Sequence, residues 1–111
     1  MKKSFPLDLN GMYIPQCCFK TGYYKNSGAL AITICRRTDF GTLPVIPLTA
    51  NLGPLAHHCI AIKDTANSAS HLATQMQRIG LVKRKLTTIT LGYTSYPVCE
   101  IDEQILTKYA A

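Results

Sequence analysis

Apolar and polar positions alternate along much of this chain, and the alternation defines most of its predicted elements. The clearest run is Ala29-Leu30-Ala31-Ile32-Thr33-Ile34-Cys35. Leu30, Ile32 and Ile34 share one face and Ala31, Thr33 and Cys35 the other, the period of a half-buried strand. Residues 12–24 are rich in Tyr, Ile, Phe and Cys and also read as a strand, with Pro15 pointing to an edge position or a bulge. Lys25-Asn26-Ser27-Gly28 lies between the two runs and has turn chemistry, so together they predict a β-hairpin. Asp39-Phe40-Gly41 predicts the next turn. Residues 45–52 predict a third strand, which Pro47 confines to an edge or an irregular position. After the break at Gly53-Pro54 and the pair His57-His58, residues 59–63 predict a fourth. Residues 1–10, punctuated by Pro6 and Asn10-Gly11, read as a loosely ordered lead-in.

Only one segment carries a convincing helical period. Over residues 68–79, Leu72, Met76 and Ile79 recur at i, i+4 and i+7 with Ala69 and Ala73 beside them, which makes one apolar stripe. Asn67 or Ser68 is placed to cap the N-terminus, and Gly80 stands where a left-handed C-terminal cap is wanted. Two further strands follow, over 86–91 and 95–101, with a bend at Gly92. The tail over 102–111 is expected to add a short helix bearing Ile105, Leu106 and Tyr109. This order predicts a single α+β domain over residues 1–111: a mostly antiparallel sheet of about five to six strands with one main helix packed on one face.

Composition supports a folded chain. An apolar fraction of 47% over 111 residues is enough for a real core. No apolar run approaches the roughly 20 residues of a membrane span. The first residues, Met1-Lys2-Lys3-Ser4-Phe5-Pro6, form no signal-peptide core, so a cytoplasmic protein without membrane contact is expected. The five cysteines, Cys17, Cys18, Cys35, Cys59 and Cys99, are odd in number, irregularly spaced and without a C-x-x-C pair. They are expected to be reduced and mostly buried.

Candidate chemistry is sparse. His57, His58 and Cys59 are consecutive, and neighbours on a strand point to opposite faces, so they do not converge on a metal. A site from His57, Cys59 and His71 is geometrically possible, while loop histidines flanking a buried Cys is the simpler reading. Cys59, His58, His71 and Asp64 lie in one stretch without any signature of a catalytic cysteine, and phosphate-binding glycine loops are absent. Glu100, Asp102 and Glu103 read as a solvated surface. No catalytic residue, metal or cofactor is assigned, and the expectation is that the chain is not an enzyme.

The charge is more informative. Twelve Lys and Arg against six Asp and Glu give +6, which favours an anionic partner. Arg78, Lys83, Arg84 and Lys85 place four cations within eight residues at the expected end of the helix, where they would also complement its dipole. Arg36 and Arg37 end the central strand. If the two groups meet, they form a contact surface for a protein partner or for phosphates, with Tyr23, Tyr24, Tyr93 and Tyr96 as aromatic contacts.

The succession of Tyr24, then Ser27-Gly28-Ala29-Leu30-Ala31-Ile32, Leu48-Thr49-Ala50-Asn51-Leu52, Ala61-Ile62-Lys63-Asp64-Thr65-Ala66-Asn67, Ile79-Gly80-Leu81 and Tyr93-Thr94-Ser95-Tyr96-Pro97-Val98 resembles a domain-of-unknown-function family. Its members are short proteins encoded on phages, plasmids and conjugative elements of gut bacteria. The likeness spans residues 24–101 in order, and it departs at Ala66, at Cys99 and in the basic charge of this chain. The resemblance implies an accessory protein of a mobile element. Such a protein would act by stoichiometric binding to a host protein complex, for example as an anti-CRISPR-like inhibitor of a defence nuclease. A small nucleic-acid-binding accessory protein and a sponge for a nucleotide signal are the alternatives. The oligomeric state is left open.

Overall fold

The central alternation folds as the sequence predicts. In the computed structural model, which describes residues 3–56, 58–63 and 71–111, strand β2 (Met12–Tyr23) and strand β3 (Leu30–Thr38) form an antiparallel hairpin, from Tyr23 opposite Leu30 to Cys17 opposite Arg36. Ile32 and Ile34 are buried on its inner face. Pro15 marks a bulge, where Gln16 takes a left-handed φ of 61°. The extra residue resets the pleat, so Ile14, Cys17 and Phe19 all enter the core.

Residues 5–9, expected within a loose lead-in, instead form strand β1 (Phe5–Leu9), paired antiparallel with β2. Phe5, Leu7 and Leu9 alternate with Pro6 and Asp8, and Phe5 and Leu7 are fully buried. Asn10 and Gly11, both at positive φ (52° and 85°), make the two-residue turn to Met12. Positive φ at both central residues matches the twist of a hairpin, and Asn-Gly is its strongest sequence signal. Pro6 is tolerated because β1 is an edge strand and its register shifts there.

Strand β4 (Gly41–Pro47) completes a first sheet in the order β1-β2-β3-β4. It starts earlier than the expected strand over 45–52, and its two prolines sit on a sheet edge. Residues 48–50 instead link this sheet to the second. Leu48 N–H donates to Ile32 C=O at 2.9 Å, Ala50 N–H donates to Ala61 C=O at 2.9 Å, and Thr49 bridges Ile62. The second sheet has the order β5-β7-β6, from strands β5 (Cys59–Ala61), β6 (Val82–Leu91) and β7 (Thr94–Ile101). The fold is therefore α+β, with seven antiparallel strands in two sheets among the described residues, β1 being the strand not expected from the sequence.

Helix α1 (Leu72–Arg78) buries Leu72 and Met76 and half-buries Ile79, the predicted stripe. The expected cap at Asn67 or Ser68 lies outside the described residues. Its C-terminus is a Schellman turn: Gly80, at φ 92°, donates to Gln77 C=O and Leu81 N–H donates to Met76 C=O. Helix α2 (Glu103–Lys108) is capped by Asp102, whose Oδ1 accepts from Gln104 N–H at 2.9 Å. Beyond it, Tyr109 packs edge-on against Phe5 and Phe19. Phe19 N–H donates to Tyr109 C=O and Ala111 N–H to Phe19 C=O, both at 2.8 Å.

Candidate functional site

The cluster Lys83-Arg84-Lys85 does not lie at a helix end. The Schellman turn reverses the chain at Gly80-Leu81, so all three cations fall on β6, and Arg78 alone occupies the last turn of α1. Cations on a strand cannot complement the helix dipole, and that part of the expectation is corrected. β6 starts in the core at Val82 and then leaves it: from Lys83 to Leu91 every residue is exposed apart from the half-buried Ile89.

β6 and β7 form a hairpin closed at Gly92-Tyr93. Gly92 has φ 62° and Leu91 pairs with Thr94, so the loop has two residues with positive φ at the first, the type II′ pattern. β7 is anchored through Val98, Cys99 and Ile101, all buried. β5 covers it only as far as Val98, plus one bond from Ile62 N–H to Pro97 C=O at 2.9 Å. Beyond Pro97 the hairpin is, among the described residues, a two-stranded arm. It is held by its ladder, by the cross-strand pair Ile89 and Tyr96, and by a hydroxyl bond of 3.0 Å between Thr90 and Ser95. Leu86, Leu91 and Tyr93 stand in solvent on this arm, Tyr93 completely.

Carboxylates accompany the cations at the base of the arm. Arg84 pairs with Glu100 directly across the ladder, Nη2 to Oε2 at 3.4 Å. At this exposure such a pair contributes about 0–1 kcal/mol. Lys83 lines an open depression of about 420 Å³ with His58, Glu100, Asp102 and Glu103. His58, itself left-handed at φ 64°, reaches Glu103 with Nδ1 to Oε1 at 2.7 Å and accepts from Ile101 N–H through its carbonyl. The base is thus a mixed-charge surface, while Lys85, opposite Cys99 in the ladder, lies outside that depression.

The other expected contacts are dispersed. Arg36 is exposed beside Pro15, Gln16 and Asp39 in a separate shallow depression. Arg37 is engaged by the fold, its Nη2 donating to Lys3 C=O at 3.0 Å and to Ala110 C=O at 2.9 Å, which staples both ends of the chain to β3. Arg78 lines a third depression, between α1 and the β1–β2 turn, where Gln75 bonds the backbone of Asp8 in both directions. No single basic face unites these groups. Tyr93 and Tyr96 belong to the arm. Tyr23 is exposed at the far end of β2, and Tyr24 is structural, its hydroxyl bonded to Thr49 Oγ1 at 2.9 Å.

No group of three or more His, Cys, Asp or Glu side chains among the described residues is placed to hold a metal ion. His57 and Asp64, from the metal and nucleophile readings, lie outside those residues. All five cysteines are free thiols, and only Cys59 is more than slightly exposed. Burial pushes the Cys17 thiol up to about 11, and the Cys35 thiol is raised for the same reason, so neither is primed as a nucleophile. No helix among the described residues is long and apolar enough to cross a membrane. Compared with known protein families, curated proteins and solved structures, the chain shows no significant match.

Tyr93 and Tyr96 of the arm were expected as contacts from the sequence, whereas Leu86 and Leu91 were not. The signal was present in Leu86-Thr87-Thr88-Ile89-Thr90-Leu91, a run of strong strand formers with no charge, Gly or Pro, in which Leu86 and Leu91 stay exposed and Ile89 is only half-buried.

Proposed function

We propose that this chain is a non-catalytic binding protein that acts by stoichiometric docking on a partner protein, with the β6–β7 arm as its contact element. The observation that supports it is the placement of Leu86, Leu91 and Tyr93 in solvent on an arm whose base is charged. An apolar tip beside a polar, charged rim is the usual anatomy of a protein interface. The family resemblance supplies the setting: an accessory protein of a phage or other mobile element that inhibits a host complex such as a defence nuclease by covering a working surface. The basic charge then directs it to an acidic patch on that complex.

Nucleic-acid binding is the weaker reading, because Arg84 is paired with Glu100, Arg37 is bonded within the fold, and Arg36 and Arg78 lie in depressions apart from the arm. Affinity capture from host lysate, run in parallel with the native chain and with Leu91→Ser/Tyr93→Ser, tests the proposal. A component held near one-to-one by the native chain and lost with the variant supports it. Identical captures by both chains would sink it.

A further inference from the structure

The arm offers one more feature than exposed side chains: a strand edge that is unpaired among the described residues and has a defined register. In a hairpin closed by a two-residue loop, the residues flanking the loop exchange both ladder bonds, and hydrogen-bonded and non-bonded pairs alternate from there. Leu91–Thr94, Ile89–Tyr96 and Thr87–Val98 are therefore the bonded pairs, and Thr90–Ser95 and Thr88–Pro97 the non-bonded ones. Pro97, which has no N–H, falls at a non-bonded position, and its carbonyl points away from β6 to accept from Ile62. The backbone N–H and C=O of Thr88 and Thr90 accordingly point outward from β6. Among the described residues β6 has β7 as its one strand neighbour.

Two properties separate this edge from an ordinary protected one. Natural edges are blunted by charges, prolines, bulges or covering elements. β6 carries such devices only in its first half, with bulges between Val82 and Arg84 and between Lys85 and Thr87 and three cations. Its second half, Thr87 to Leu91, is regular, uncharged and free of Pro and Gly. From Ile89 to Leu91 the sheet is also only two strands wide among the described residues, and a two-stranded ribbon is marginal until a third strand joins it. The opposite edge of the arm is a poorer template, since Pro97 interrupts it.

We infer that the docking mode is β-strand addition: an extended acidic segment of the partner protein pairs antiparallel with Thr87–Leu91 and places carboxylates beside Lys83 and Lys85. This rests on the docking role proposed above and specifies its geometry. The antiparallel sense fixes the polarity of the ligand. Its N-terminal half lies along the uncharged stretch near Leu91, and its C-terminal half carries the acidic side chains. The cations at the base argue for a foreign acidic strand over a second copy of this chain, which carries +6 and would bring no matching carboxylates along its own β6.

The probe is a synthetic peptide of alternating Val and Thr followed by C-terminal glutamates, compared with the same composition carrying the glutamates at its N-terminal end. The first peptide should slow amide exchange at Thr88 and Thr90 and bind about tenfold more tightly than the second, the effect of two or three partly screened charge contacts. Thr90→Pro removes an outward N–H without touching the ladder and should abolish binding. Lys83→Glu/Lys85→Glu, which leaves the backbone intact, should reverse the preference between the peptides and keeps the test decisive if the proline variant unfolds the arm. Equal binding of both peptides, binding that leaves Thr88 and Thr90 unprotected, no binding at all, or protection of those amides by self-association alone would each overturn strand addition. The docking role fails separately, if Leu91→Ser/Tyr93→Ser captures the same partner as the native chain.

Discussion

Individual residues here do structural work that their types alone do not announce. Thr49 is buried, accepts from Ile32 N–H at 3.1 Å and shares a hydroxyl bond with Tyr24, so one side chain ties β3, the linking residues 48–50 and the turn after β2 together. Tyr24→Phe should lower stability by about 1 kcal/mol in urea unfolding, the usual net worth of one hydrogen bond. Thr49→Val should cost more, about 1–3 kcal/mol, because it strands the Ile32 N–H in the core. Cys17 makes a pH prediction. Its folded thiol is raised to about 11 by burial, chiefly, and by the neighbouring Cys18, from an ordinary 9.0. Between those values the unfolded chain has lost a proton that the folded chain keeps, so stability should fall as pH rises through that window and level off above it. Cys17→Ala should flatten the slope measured by denaturant titration across that range. These roles were illegible in the sequence because Tyr24 and Arg37 look like free surface groups until their partners, many positions away, are placed beside them.

At the level of elements, local chemistry was a good guide wherever one face is buried. The β2–β3 hairpin, the apolar stripe of α1 and the turn at Gly80 all follow from spacing and turn residues. Leu72→Asp or Met76→Asp should each cost about 4 kcal/mol or more and abolish cooperative thermal unfolding, since both side chains are fully buried. β1 was legible too, through the alternation of Phe5, Leu7 and Leu9 before Asn10-Gly11, and was hidden only by the weight given to Pro6. The start of β6 was not legible. A run of three cations after a helical stripe reads as a helix end until the Schellman turn shows that the chain has already reversed. The two strands of the arm were legible over 86–91 and 95–101, but the exposure of Leu86 and Leu91 was not, because a strand with two solvent faces carries no in–out contrast, which is the signal that periodicity detects.

For the whole molecule, the decisive feature is the contrast between a closed body and an open arm. The core joins both sheets and both helices, and Arg37 and Tyr109 fasten the chain ends to it. Iodoacetamide at neutral pH should accordingly modify Cys59 alone in the folded protein and all five thiols after denaturation, counted by mass spectrometry. The charge excess is spread over separate surfaces and partly compensated, so a gel shift with DNA or RNA should be absent at physiological salt. A tight shift lost on Lys83→Glu/Lys85→Glu would turn the reading toward nucleic acid.

Strand addition requires, before anything else, that the outer edge of β6 be free. Residue-resolved amide exchange of the isolated protein measures this without any partner. Thr87, Ile89 and Leu91, bonded to β7, should exchange about two orders of magnitude more slowly than Thr88 and Thr90, whose N–H groups point to solvent. Equal protection along the whole of Thr87–Leu91 in the free monomer would rule out strand addition there, because the edge would then already be occupied.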